Sequence, residues 1–233
     1  MQSTSIFEGI FKLLEWLTRI VLTNFIWLIF NLPISFLLLT IAITDDIPFI
    51  VMNLIIIAIL SPFFLFPATS AVFGIVRKWV MGEGDIKIIK HFWTVYRQNY
   101  LKSLIGGFIL VPLWFIGILD VYFLYHHNLF MTILLIIILF LLFIFTCYYF
   151  AVIAHHELKI FQAFKQALVF MIINPLRSLL MGIINIIILY VSLTQVTVLI
   201  PLLLGVALAY FAFFSYYNKL LRVKELQENN NEE

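Results

Sequence analysis

Two histidine pairs, one acid and one cysteine are the residues of this chain with the widest chemical reach. His155-His156-Glu157 and His126-His127 offer imidazoles, which serve as metal ligands and as acid–base groups. Adjacent residues on a helix do not share a face, so neither pair can close on one ion by itself. Asp120 lies about two turns before His127, and acid–base work there would need the two to meet in a wet cleft. Cys147 sits in an apolar run with no base near it in sequence and reads as a small packed side chain. Gly82-Glu83-Gly84-Asp85 reads as a turn followed by a helix cap, not as a phosphate cradle. Hydrolase elbows, phosphate-binding glycine loops and HExxH patterns are lacking. The expectation is a non-enzymatic protein with no catalytic residue, metal or cofactor.

The elements that carry these residues are apolar. Of 233 residues, 64% are hydrophobic and 11% charged, against roughly 25% charged in soluble domains, so lipid is the expected solvent. The cations are scattered over short loops rather than gathered in a stripe, which argues against nucleic-acid binding. The first residues are polar and lack a secretory leader pattern.

Six apolar spans follow: residues 20–43, 48–76, 104–125, 129–154, 179–194 and 196–217. They form one polytopic membrane domain, 1–222, followed by a polar tail, 223–233. Three short connections, at Asp45-Asp46, His126-His127-Asn128 and Thr194-Gln195, contain no Lys or Arg; all 14 cations lie on the other side. The positive-inside rule then places both termini in the cytosol. The segments Asn99 to Gly107 and Asn174 to Gly182 resemble each other, as do Asp85 to Phe92 and Glu157 to Phe164. This pattern predicts an all-α membrane protein: six transmembrane helices as three parallel-repeat hairpins, joined by two cytosolic amphipathic helices.

The first amphipathic helix is expected after an Asp85 cap, with Ile86, Ile89, Trp93, Tyr96 and Tyr100 on one face and Lys87, Lys90, His91, Arg97 and Gln98 on the other. Trp93 and Tyr96 would anchor a docked partner, with Lys87, Lys90 and Arg97 as its polar rim. The second, Leu158 to Ile173, is more apolar. Either could instead lie in the lipid interface.

Span two would run about 43 Å if straight, too long for a roughly 30 Å hydrocarbon core. Ser61-Pro62 and Phe66-Pro67-Ala68-Thr69 predict a break, with Pro67 in the first turn of a restarted helix. Asn31-Leu32-Pro33 predicts a second kink in span one. Asn31, Asn53, Pro67 and Thr69 are therefore candidate ligand-lining residues, although interhelical hydrogen bonding accounts for such side chains equally well.

Pro67-Ala68-Thr69-Ser70-Ala71, Val76-Arg77-Lys78-Trp79, Gly82-Glu83 and Phe92-Trp93, together with Asn31-Leu32-Pro33, resemble the signature region of the YesL-like bacterial integral membrane proteins. That family is a domain of unknown function found mainly in Gram-positive bacteria. Its genes often sit beside those of ATP-driven sugar importers and polysaccharide-degrading enzymes. The resemblance implies residence in a bacterial cell membrane and a role in carbohydrate uptake. The leading expectation is an accessory component of an ATP-driven carbohydrate importer. The alternative is an autonomous small-solute transporter or membrane sensor with its site at the proline breaks. The oligomeric state is not legible from the sequence.

Overall fold

The computed structural model describes residues 2–125, 127–194 and 199–232. His126, Gln195 of the expected outer turn, and the start of the expected sixth span lie outside them. Among the described residues every regular element is an α-helix: α1 Gln2–Phe30, α2 Leu32–Ala42, α3 Ile47–Leu60, α4 Leu65–Val80, α5 Ile88–Tyr125, α6 Leu129–His155, α7 Ile160–Ile173, α8 Pro175–Thr194 and α9 Leu199–Glu232. Three stretches are long and apolar enough to cross a membrane: Glu8–Phe30, Ile88–Tyr125 and Leu129–His155. The bent pairs α3–α4 and α7–α8 raise that to five if each counts as one span.

The breaks fall where the prolines demand them. Asn31 separates α1 from α2, and Pro33 sits in the first turn of α2, where its missing N–H costs nothing. Between α3 and α4 the chain bends by 56°. Pro62 and Pro67 withhold two donors there, and the Phe66 N–H reaches back to the Ser61 carbonyl at 3.0 Å. Pro67 is the third residue of α4, as expected of a restarted helix.

α7 and α8 meet at 101°. Asn174 precedes Pro175 and takes φ −142°, ψ 78°, outside the helical region that a following proline disfavours. The related segment has Asn99-Tyr100 in the matching place and no proline, and the helix runs straight through. α5 is therefore one helix of 38 residues, about 57 Å long. This corrects the expectation of a separate amphipathic helix before span three: residues 88–103 are the first turns of the same rod. Asp85 does not cap it either. The first carbonyl to accept is that of Lys87, from the His91 N–H at 2.8 Å, and Asp85 lies outside.

The core is built around α4. Phe66, Ala68, Ala71, Val72, Phe73, Ile75, Val76 and Trp79 are all buried. Small residues let neighbours approach closely. A Cβ at Gly74 would lie 2.5 Å from Val95 Cγ1, and one at Gly107 would lie 2.8 Å from Pro62 Cα. Phe150 of α6 packs on Phe66 and Phe73 with ring centroids 5.2 and 5.5 Å away. Trp16 of α1 meets Trp79 edge-on at 5.5 Å. The rest of the α6 contribution, from Ile144 to Ala154, and the α9 residues Val206, Ala209, Phe213 and Tyr216 complete the cluster. By contrast α2, α3, α8 and the turn-proximal halves of α5 and α6 expose large apolar side chains such as Phe36, Ile59, Ile116, Phe130 and Ile187. An apolar surface of that extent suits lipid, not water.

Candidate partner-docking face

The α4–α5 connection is stiff. The Gly82 N–H bonds the Trp79 carbonyl at 3.1 Å and the Glu83 N–H bonds the Lys78 carbonyl at 2.8 Å. These are the paired bonds of a Schellman cap, whose left-handed residue is Gly82 at φ 84°. The Lys78 ammonium then pairs with the Glu83 carboxylate, and that bond holds the carboxyl below its usual range. Arg19 of α1, paired with Glu15 at 2.6 Å, donates to the Gly84 carbonyl. The loop thus fixes where α5 begins and which face it turns inward.

That face is Ile88, Phe92, Val95, Asn99 and Ser103, all buried. It is rotated from the expected apolar face. Ile89 is 65% exposed and Trp93 49% exposed, while Tyr96 and Tyr100 are half-buried. The reason is the Gly74–Val95 seam, which selects the residues that can approach α4 rather than the most aromatic ones. Trp93 stacks on Tyr96 at 5.9 Å with planes 6° apart, and Phe30 from the end of α1 supports both, at 6.0 and 4.7 Å. Lys87, Lys90 and Arg97 are exposed around them, and among the described residues none of the three joins an ion pair. The result is a rigid aromatic plate with a cationic rim.

The four candidate ligand-lining residues are not brought to one cavity wall. Asn31 is buried and its amide donates to the Trp27 carbonyl at 2.8 Å. Thr69 accepts from the indole N–H of the same Trp27 at 3.2 Å, so Trp27 links the two breaks. Asn53, also buried, donates to Thr40 across the α2–α3 turn at 3.3 Å. Pro67 is buried within the α4 core. Asp120 is exposed. The His127 ring bonds the Phe123 carbonyl and stacks on the Phe123 ring at 4.6 Å. Among the described residues no group of three metal-ligating side chains converges.

Lys219 reads from the sequence only as one of the cations on the cytosolic side. It is 1% exposed, donates to the Phe170 carbonyl at 2.8 Å and to Ser178 Oγ at 2.6 Å, and lies 4.6 Å from the Tyr148 ring centroid. It pins the α7–α8 corner to α9, supplying a donor to a carbonyl near the end of α7. The available signal was its spacing, three residues after Tyr216 on one helix face.

The assembly is thus an all-helical protein whose apolar exterior fits a membrane location. Residues 20–121 match a family described as "Protein of unknown function, DUF624". This region runs from α1 to α5 and contains the α4 core, the Schellman loop and the aromatic plate. The "Uncharacterized protein YteU" of Bacillus subtilis (strain 168) is 27% identical over 111 residues, which are 48% of this chain and 39% of that protein. The chain thus matches well under half the length of this relative. Each match covers less than half of this chain. No solved structure matches the chain.

Proposed function

We propose that the protein is a non-enzymatic, multi-pass membrane protein that docks an ATP-driven carbohydrate importer through the exposed face of α5. The observation that supports this reading is the Trp93–Tyr96 plate. Two stacked aromatics stand on a buried seam, ringed by Lys87, Lys90 and Arg97, with much of the Trp93 surface left uncovered. Pre-ordered aromatics lose little entropy on binding and commonly anchor interfaces. The resemblance to YesL-like proteins supplies the class of partner. In this reading the six spans of the sequence are retained: α1–α2, α3–α4, α5, α6, α8 and α9, with α7 lying across the membrane face and both termini in the cytosol. The membrane is that of a bacterial cell.

Affinity purification from native membranes in mild detergent tests the proposal, with Trp93→Ala/Tyr96→Ala as the paired variant. Recovery of importer subunits by the parent and their loss in the variant are expected. Recovery of the same partners by both proteins, or of none by the parent, refutes the docking role.

A further inference from the structure

At the cationic end of the bundle, α4, α6 and α9 bring together donors that lack acceptors. Arg77 comes from the last turn of α4, His155 and His156 from the end of α6, and Tyr216 and Lys224 from α9. The two imidazole centroids are 4.6 Å apart and lie 5.7 and 6.4 Å from the Tyr216 ring. Arg77 Nε, His155 Nδ1 and the Tyr216 hydroxyl are buried without a hydrogen-bond partner. Buried donors are expected to be satisfied, and an orphan carries the full desolvation penalty of a group left without a partner.

The field at this point is of one sign. The Arg77 charge acts on both histidines and on Tyr216, and the Lys224 charge acts on both histidines. Glu83, which also feels Arg77, is already bonded to Lys78. Glu157, next to His156, is exposed. The C-termini of α4 and α6 contribute partial negative charge that eases the crowding of cations. They provide no oxygen for Arg77 Nε or the Tyr216 hydroxyl.

A groove of about 420 Å³ lies beside this cluster, walled mainly by apolar side chains such as Val169, Phe170 and Ile173, with the polar Gln162, Lys165 and Gln166 among them. Phe170 is shared: its ring lies 4.7 Å from that of Tyr216. A charged mouth beside an apolar channel is complementary to a phosphate with a hydrocarbon tail.

We infer that Arg77, His155, His156, Tyr216 and Lys224 bind the phosphate of an anionic phospholipid, whose acyl chain lies in the groove between α7 and α9. Phosphate is an acceptor-only group with several strong oxygens, and a guanidinium meets it through a planar fork. Arg77 supplies that fork, the Tyr216 hydroxyl a neutral donor, and Lys224 an exposed charge at the mouth. This site is independent of the α5 face and stands or falls separately from the docking role.

The test uses the full chain, delipidated in detergent and checked for residual lipid by native mass spectrometry. Thermal unfolding is then followed with added phosphatidylglycerol, diacylglycerol or inorganic phosphate. Phosphatidylglycerol is expected to raise the midpoint by several degrees, diacylglycerol to leave it unchanged, and one phospholipid to survive mild purification. Arg77→Gln and Lys224→Gln should abolish the shift. Lys224 is exposed, so its variant keeps the test decisive if Arg77→Gln fails to fold. An equal shift with inorganic phosphate alone would overturn the lipid assignment and leave a free-phosphate site. An unchanged shift in the Lys224→Gln and His156→Gln proteins, or no shift in the parent, would overturn the site itself.

Discussion

Gly74→Ala is the sharpest probe of how the α4 core is held. The added Cβ would stand 2.5 Å from Val95 Cγ1, 2.9 Å from Cγ2 and 3.1 Å from Cβ. Ordinary carbon contacts are about 3.5–4.0 Å, so the helices must separate by roughly 1 Å or Val95 must rotate. Rotation is barred, because a β-branched residue in a helix has one strongly preferred rotamer. Overpacking of this kind costs about 1–3 kcal/mol, and the better helix propensity of alanine returns about 1 kcal/mol. The net expectation is a loss of about 1 kcal/mol, read as a lower midpoint of thermal unfolding in detergent. Val95→Ala removes both offending methyls. Alone it should destabilise by leaving a cavity, but combined with Gly74→Ala it should restore part of the loss. The double-mutant cycle should show favourable coupling of at least about 0.5 kcal/mol. Strict additivity, or a Gly74→Ala protein more stable than the parent, would refute the seam as described.

Gly107→Ala should cost more than Gly74→Ala and resist rescue by side-chain truncation, since its nearest neighbour is backbone, Pro62 Cα at 2.8 Å; the same melts decide. Lys219→Met should lose about 1–3 kcal/mol by stripping the Phe170 carbonyl and Ser178 of their donor, and spin labels on α7 and α8 should report a broadened interhelix distance. Burial, with the Arg77 and Lys224 charges behind it, holds the His156 imidazole below its ordinary value of 6.5. The unfolded chain therefore takes up a proton there before the folded one does, so its contribution is complete above about pH 6.5 and is lost as pH falls below it. His156→Gln in phosphate-free buffer should flatten that acid limb of the midpoint-versus-pH profile.

The helix breaks were legible because proline acts locally. Asn31-Leu32-Pro33 and Ser61-Pro62 each interrupt a helix through a missing donor or a restricted preceding residue, and no distant contact is needed to see it. The phase of α5 was not legible in the same way. Trp93 and Ile89 look like core residues by type, yet the inward face is chosen by Gly74, which lies far away in sequence and admits only what can approach it. The continuity of α5 turned on one residue, Tyr100 where the related segment has Pro175. At the docking face, residue types and charges were readable; the Phe30 support and the Schellman geometry that stiffens it were not. The cluster around Arg77 and Tyr216 is not legible in the sequence because its members lie on three helices. The burial of Lys219 is not legible either, because lysines near a span end ordinarily reach for water.

In the proposed docking role Trp93 faces a subunit of the importer. Incorporating a photoreactive benzoylphenylalanine at position 93, irradiating intact cells and identifying the adducts by mass spectrometry tests it most directly. The docking role predicts a covalent adduct to a membrane subunit of a carbohydrate importer, absent when the probe is moved to buried Phe92. Adducts to lipid alone at position 93 would contradict it.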